Sequence, residues 1–534
     1  MNRVNLCRIL LAAVLLTAGC IKVGPDFAPP PTSVSKDWLD AGDRRLQTTP
    51  SEQRLWWRAF ADPTLDRLID TAYRENLNLR IAGVRVLEAR AQLGIAIGEW
   101  FPQTQQAFGS LEKIRISERA PQAAFSDTLK FWQSEVGVRA SWELDFWGKF
   151  RRAIEAADAS LTATVADYDS TLVSLTGDVA GLYILIRTLE KRLDIARQNV
   201  ESQKETLQLA EVKFRGGTTT QRDVEQAKTL LFNTEAGIPT LEIQLRQAKN
   251  ALCVLLGMPP NHLTDLLKGE AGAIPAPPPQ VAVGIPADLL RRRPDIRVAE
   301  AQAAAQCANI GVAKADLFPA FSLSGTFSFQ SSDVANFKLG DMFSWKSRSA
   351  TAGPSFQWDL LNYGRLTNQV RVQDARFQEL LIGYQNAVLK AQQEVEDALV
   401  GFLRSQARAK LLGESTAAAR RSLDLSVLQY RGGTVDFTTV LLAQQALLNE
   451  QDSLASTLGD ISRNLVGVYR ALGGGWQLRE GKEFVPAEVQ AEMAKRTNWG
   501  RLLSSASYIV PPGALGVKER KGEANSPAPA PQSE

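Results

Sequence analysis

The feature that most constrains this chain is a turn written twice. FRGGTTTQRDV at 214–224 returns as YRGGTVDFTTV at 430–440, each with an aromatic-Arg-Gly-Gly-Thr core. Arg215 and Arg431 lie 431 − 215 = 216 positions apart, and the offset extends well beyond the turn. Subtracting 216 maps WDLLNYGR at 358–365 onto WELDFWGK at 142–149 without a gap, and Gly473 onto Gly257. IGVAKADLFP at 310–319 echoes LGIAIGEWFP at 93–102 with a slip of one residue. Two similar structural repeats are expected, at 64–257 and 288–473, joined by a Pro-rich linker at 258–287 and followed by an extension at 474–534. This period far exceeds the units of solenoids, so it marks one duplicated structural unit.

Periodicity shows what each repeat contains. Leu182, Ile186, Leu189, Leu193, Ala196, Val200, Gln203, Leu207, Ala210 and Phe214 step alternately by four and three, a coiled-coil seam with one polar interruption at Gln203. The same stepping resumes after the turn at Val224, Ala227 and Leu231 and continues to Leu255, so the second helix lies antiparallel to the first. A helix over 148–214 would be about 100 Å long. Pro239 lacks an amide hydrogen and predicts a break or kink midway along the returning helix, with the chain that precedes the final EANSPAPAPQSE tail packing at that level. Gly216, Gly217, Gly432 and Gly433 do not read as a phosphate loop, because no strand precedes them and no Gly-Lys-Ser/Thr follows. They read as helix ends in left-handed conformation, with Thr218 and Thr434 capping the next helix.

Between the helices, 101–113, 132–146, 318–330 and 351–362 are rich in aromatics, Ser and Thr and alternate in polarity, so each is read as a strand. Four strands cannot close a membrane barrel, whereas three chains would supply twelve. The expected class is an α+β membrane protein: a trimeric 12-stranded β-barrel continuous with a long α-helical coiled-coil barrel. MNRVNLCRILLAAVLLTAGC supplies Arg3 and Arg8, an apolar run and small residues before Cys20. This is a signal peptide over 1–19, with Cys20 as an acylated mature end, similar to a bacterial lipoprotein signal, and 20–63 as a lipid-anchored segment. Ile21 in place of Asp favours the outer over the inner membrane. No other stretch reaches about eighteen uninterrupted apolar residues, so strands make the crossing.

Composition excludes several function classes. A net charge of +3 gives no electrostatic footprint for nucleic acid. His262 is the only histidine, so a His-based zinc site or a Ser-His-Asp triad has no material; counting leaves Ser-Lys and paired-carboxylate chemistry open, but the acidic residues mostly fall where long helices need solvated faces, so no catalytic residue or cofactor is expected. Cys253 and Cys307 lie on predicted helices without paired spacing and read as buried apolar residues.

LLRRRPDIRVAEAQ at 289–302, followed by IGVAKADLFP at 310–319, resembles the hallmark of the lipoprotein outer-membrane factors of tripartite RND-type efflux pumps, the TolC-like family. GPDF at 24–27 with Pro29, IPTLEIQL at 238–245 and ALCVLLG at 251–257 are similar to it too. The resemblance implies a homotrimer forming a barrel in outer-membrane lipid above a periplasmic tunnel. It further implies a periplasmic membrane-fusion adaptor and an inner-membrane RND transporter as partners, and passive conduction of drugs or other small molecules. By the same resemblance the tips carrying Arg215, Gly216, Gly217, Arg431, Gly432 and Gly433 dock the adaptor, and Asp223, Tyr430 and Asp436 match gate positions. Val435, Thr439 and Leu442 depart from residues that some relatives use there. A type I secretion duct for polypeptides shares the architecture, although the lipoprotein-type start favours small-molecule efflux. A structural coiled-coil rod without a pore would have no use for the aromatic alternating segments.

Overall fold

The computed structural model describes residues 22–503, apart from 48, 50–53, 120, 122–127, 268–270, 279, 289–291 and 335–337. Cys20 and the final tail lie outside the described residues. In chain order the elements are β1 (Leu46–Gln47), a 3-10 turn (Trp56–Phe60), α1 (Pro63–Glu75), α2 (Leu77–Gly98), β2 (Thr104–Arg115), β3 (Lys130–Leu144), α3 (Lys149–Arg215) and α4 (Gln221–Leu255). There follow β4 (Val281–Ala282), α5 (Pro294–Ala315), β5 (Ala320–Ser332), β6 (Arg348–Gln357), α6 (Arg365–Arg431), α7 (Phe437–Ala471) and α8 (Ala487–Arg496), with short 3-10 turns between.

The two Arg-Gly-Gly turns each end a helix of 67 residues, and each returning helix has 35. Both long helices start from a left-handed glycine, Gly148 at φ 76° and Gly364 at φ 81°, which turns the chain from sheet to rod. A body core joins both repeats: Leu65, Leu68 and Ile69 of α1, Val86 and Leu87 of α2, Leu172, Val179 and Ile184 of α3, Val395, Leu399 and Phe402 of α6, and Leu465 and Val468 of α7. Each such side chain contributes roughly 1.5–3 kcal/mol when removed from water. The most apolar 18-residue window of α3 is 72% buried within the chain, so it is a packing surface of this core.

Strands β2, β3, β5 and β6 form one antiparallel sheet in that order, while β1 and β4 pair in parallel beside the rod. Thr104 to Arg115 of β2 pair with Ser141 back to Lys130 of β3, whose Leu144 pairs with Phe321 of β5. Phe329 of β5 pairs with Arg348 of β6.

Three expectations are corrected. Helix α4 is continuous through Pro239, so the expected break is absent, and buried seam positions lie on both flanks, Leu231 and Thr234 before and Ala248 and Leu252 after. The described chain after α7, as far as residue 503, packs far from Pro239. Arg479 chelates the buried Asp169 of α3 at 2.6 and 3.1 Å, Phe484 packs edge-on to Tyr168, and Gly83 of α2 accommodates the Phe484 carbonyl. The pair Arg197–Glu242 at 3.0 Å fixes the height of Pro239 about 40 Å further along the rod. Finally, Thr218 and Thr434 do not cap the helices that follow. Their hydroxyls donate to the Lys213 and Gln429 carbonyls, closing the helices that precede.

Candidate functional sites: a two-faced sheet and a shared helical tip

The cross-strand register sorts the sheet into two chemistries. Val136, Val138, Ala140 and Trp142 of β3 share a face with Ala107 and Leu111 of β2, Leu323, Phe327 and Phe329 of β5, and Ala350, Ala352 and Phe356 of β6. Several of these stand in the open: Val138 is 55% exposed, Leu111 62% and Phe356 70%. The opposite face carries Ser322, Ser324, Thr326, Ser328 and Gln330 of β5, Ser349, Thr351 and Ser355 of β6, and Gln106, Glu135, Arg139 and Glu143. There the Arg139 guanidinium donates to Gln106 Oε1 at 2.9 and 2.6 Å and stacks over Phe108, and the Gln330 amide donates to Glu135 at 2.9 Å. Apart from Gln105, and from Lys113, Ser134, Ser331 and Arg348 towards the end away from the rod, one side is apolar and the other mostly polar, the pattern of a lipid-facing and a water-facing wall. Sequence reading located the strands but missed these polar wall residues, whose only signal is alternation summed across strands.

At the end of the sheet nearest the rod, aromatic rings gather. Trp147 stacks on Phe318 at 4.6 Å, Phe146 packs against Phe321 at 5.5 Å, and the Trp147 and Trp358 indoles donate to the Pro319 and Leu317 carbonyls. Such a belt suits the boundary between lipid and water.

The second site is at the far end of the rod, where both hairpins of one chain share a small core. Ala210, Val224, Ala227, Leu423, Tyr430, Phe437, Val440, Ala443 and Leu447 bury one another. Each turn is closed by a pair of backbone bonds, Gly217 to Phe214 and Thr218 to Lys213 in the first, Gly433 to Tyr430 and Thr434 to Gln429 in the second. The second glycine of each turn is left-handed, Gly217 at φ 70° and Gly433 at φ 75°. Arg215, Gly216, Gly217, Arg431, Gly432 and Gly433 are all exposed at the extremity.

Tyr430 and Asp223 are both buried here, and Thr219 connects them. The Tyr430 hydroxyl donates to Thr219 Oγ1 at 3.5 Å, and Thr219 donates to Asp223 Oδ2 at 2.5 Å. Lys213 from the first hairpin donates to the Tyr430 carbonyl at 2.6 Å and lies 4.6 Å from the centre of its ring. Burial pushes the Asp223 carboxyl up, but the Thr219 hydroxyl, the Thr220 backbone and Arg222 outweigh it, so its pKa lies below the usual carboxylate value. Asp436 stands apart from this chain of contacts. It is exposed and caps α7, accepting from the Thr439 backbone at 3.2 Å and the Thr439 hydroxyl at 3.1 Å. Thr219 and Lys213 were not singled out by sequence, since their roles depend on contact between hairpins more than two hundred residues apart.

Known proteins share this arrangement. The family model described as outer membrane efflux protein matches residues 68–258 and again 285–474. The chain is 32% identical over 480 residues to the pyoverdine export outer membrane protein OpmQ of Pseudomonas putida, covering 89% of this chain and 98% of that one. It is 31% identical over 474 residues to nodulation protein T of Rhizobium leguminosarum bv. viciae, covering 88% and 93%. Among solved structures, the outer-membrane channel OprN superposes with a TM-score of 0.79 at 33% identity, over 85% of this chain and 100% of that one. With a sheet of two faces, a long helical rod and both halves matched, the chain belongs to the outer membrane efflux protein family of TolC-like channels.

Proposed function

We propose that three copies of this efflux channel close a twelve-stranded barrel in the outer membrane and continue it as a periplasmic tunnel of six helical hairpins. The observation that carries this is the four-stranded sheet with an apolar face, a polar face and two free edges, β2 and β6. Each unpaired backbone group on such an edge costs several kcal/mol in lipid, so the sheet needs neighbours. Pairing β6 of one copy with β2 of the next removes every edge and turns Glu135, Arg139 and Glu143 towards the lumen.

In this reading the duct is passive. Its wall selects weakly, and the substrates are small molecules handed over by a periplasmic adaptor and an inner-membrane RND transporter. Relatives named for pyoverdine export and for nodulation are consistent with one duct architecture serving different cargo. The exposed Arg-Gly-Gly tips are the surface the adaptor grips, and the Tyr430–Thr219–Asp223 chain biases the ring of tips towards closure. Light scattering of detergent-purified protein should give three chain masses, and the same preparation should conduct in planar bilayers. A stable conducting monomer, or a trimer without conductance, overturns the reading.

A further inference from the structure

The tip and the body of the rod are two hydrophobic units with something else between them. The body core runs along α3 as far as Leu189 and takes up α7 from Ile461. The tip core starts at Ala210 and Leu447. Leu193, Ala196 and Val200 are buried in the interval but join neither core. Amides and hydroxyls share the seam there with these apolar side chains. Asn199 donates to Gln451 Oε1 at 2.8 Å, and Gln444 donates to Thr206 Oγ1 at 2.8 Å. Gln203 is 2% exposed, yet neither its amide oxygen nor its nitrogen has a hydrogen-bond partner among the described residues. The same is true of Thr416 Oγ1, Glu450 Oε2 and Thr457 Oγ1.

All four helices meet this belt at one height. Asn199 of α3 faces Gln451 of α7, and Arg197 faces Glu242 of α4, three residues beyond Pro239. The contact of Ser405 with Asn464 sets the register of α6 against α7 and brings Thr416 level with Ser453, within one helical turn of Glu450 and Gln451. Pro239, which removes a backbone donor from α4, therefore interrupts that helix's hydrogen bonding at the height where the seam is polar. An interdigitated apolar seam resists sliding because displacement opens voids. Among neighbouring amides a displacement can exchange one partner for another, and an amide with none has no bond to lose.

We infer that the belt of Asn199, Gln203, Thr416, Glu450 and Gln451, with Pro239 beside it, is the joint about which the helical tips swing against the body of the rod. This rests on the proposed closure at the tips and adds where the motion is hinged. The joint sits in the seam, and α4 itself stays continuous.

Hydrogen–deuterium exchange on the full-length trimer in detergent tests it. Amides on the tip side, at 204–234 and 417–449, should exchange as one cooperative unit about tenfold or more faster than those at 160–190, with a step at the belt. Uniform protection across the belt, or a smooth rise towards the turns as in simple fraying, overturns the inference. Gln203→Leu combined with Thr416→Val replaces two of the unpartnered polar side chains of the belt by apolar ones. It should keep the trimer, move the step towards the turns and lower the occupancy of the wide-conductance state about tenfold. A correctly assembled double variant with an unmoved step and unchanged conductance also overturns it. Because the exchange step does not depend on Tyr430 or Asp223, failure of that latch and failure of this joint are read separately.

Discussion

Asp223 contributes to the tip through its charge, and that charge has a direction in pH. Its carboxyl has a lowered pKa in the folded tip, so the stabilisation is present above the unfolded value of about 3.9 and is lost as pH falls through the lower folded value. Conductance in planar bilayers should therefore be steady from neutral pH to about 4 and rise only in stronger acid. Asp223→Asn, which imitates the protonated form, should show the acid conductance already at pH 7. Equal conductance for wild type and variant at both pH values would remove Asp223 from the closure. Tyr430→Phe with Asp223→Ala removes both ends of the chain through Thr219, and a hydrogen bond to a charged partner is worth roughly 1.5–3 kcal/mol. That double variant should also conduct more, without loss of trimer. If it does not, Asp436, whose cap on α7 is independent of this chain, is the next residue to vary.

At the scale of elements, what the sequence makes legible is what repeats locally. The four-three stepping placed two helical hairpins, and Lys149–Arg215 and Arg365–Arg431 are indeed offset by 365 − 149 = 216. The strands were found to within about five residues, and the errors have a cause. Phe101, Phe146 and Phe318 look like strand residues but lie outside the ladder, Phe101 against Trp100 and both Phe146 and Phe318 against Trp147. Long-range contacts were not legible. Nothing near Arg479 announces Asp169, 310 residues earlier, and Pro239 reads as a break only while the buried seam on both sides is left out. The caps were read in the wrong direction because Thr after Gly-Gly suits either helix, and the Lys213 and Gln429 carbonyls near the ends of α3 and α6, which already accept the Thr218 and Thr434 backbone N–H groups, accept their hydroxyls as well. The cap geometry carries its own prediction. Gly433 is left-handed at φ 75°, whereas Gly432 at φ −74° is not, so Gly433→Ala should cost about 1–2 kcal/mol and Gly432→Ala little. Trypsin nicking at Arg431 should accelerate about fivefold or more in the first variant only. Equal rates in both would show that the turn is not held by its left-handed glycine.

For the whole molecule, the question is how a rod about 100 Å long is set at the right depth in the membrane. The N-terminal segment that begins at Lys22 supplies a fastening. Val23 donates to the Trp147 carbonyl at 3.1 Å, inside the aromatic belt where sheet becomes rod. Arg152, 1% exposed, donates from Nε to the Val23 carbonyl and from Nη2 to the Gly24 carbonyl and Asp26, at 2.9–3.1 Å. Gly24, at φ 95°, crosses Gly311 of α5 so closely that a Cβ on it would lie 2.5 Å from the Gly311 Cα. Arg152 belongs to the first repeat and Gly311 to the second, so the segment is clasped by both. Cys20 precedes Lys22, which lies at this boundary, by two positions in sequence. An acyl chain on Cys20 would then enter the same leaflet that the belt marks, and a single chain alone anchors only marginally. Mass spectrometry of the mature protein should find acyl groups on Cys20, and an unmodified N-terminus elsewhere would exclude the anchor. Gly24→Val should leave acylation intact but free the segment, so that residues 22–47 become sensitive to protease in the assembled trimer. Acylated protein whose N-terminal segment stays protected in that variant would show that the glycine crossing does not hold it.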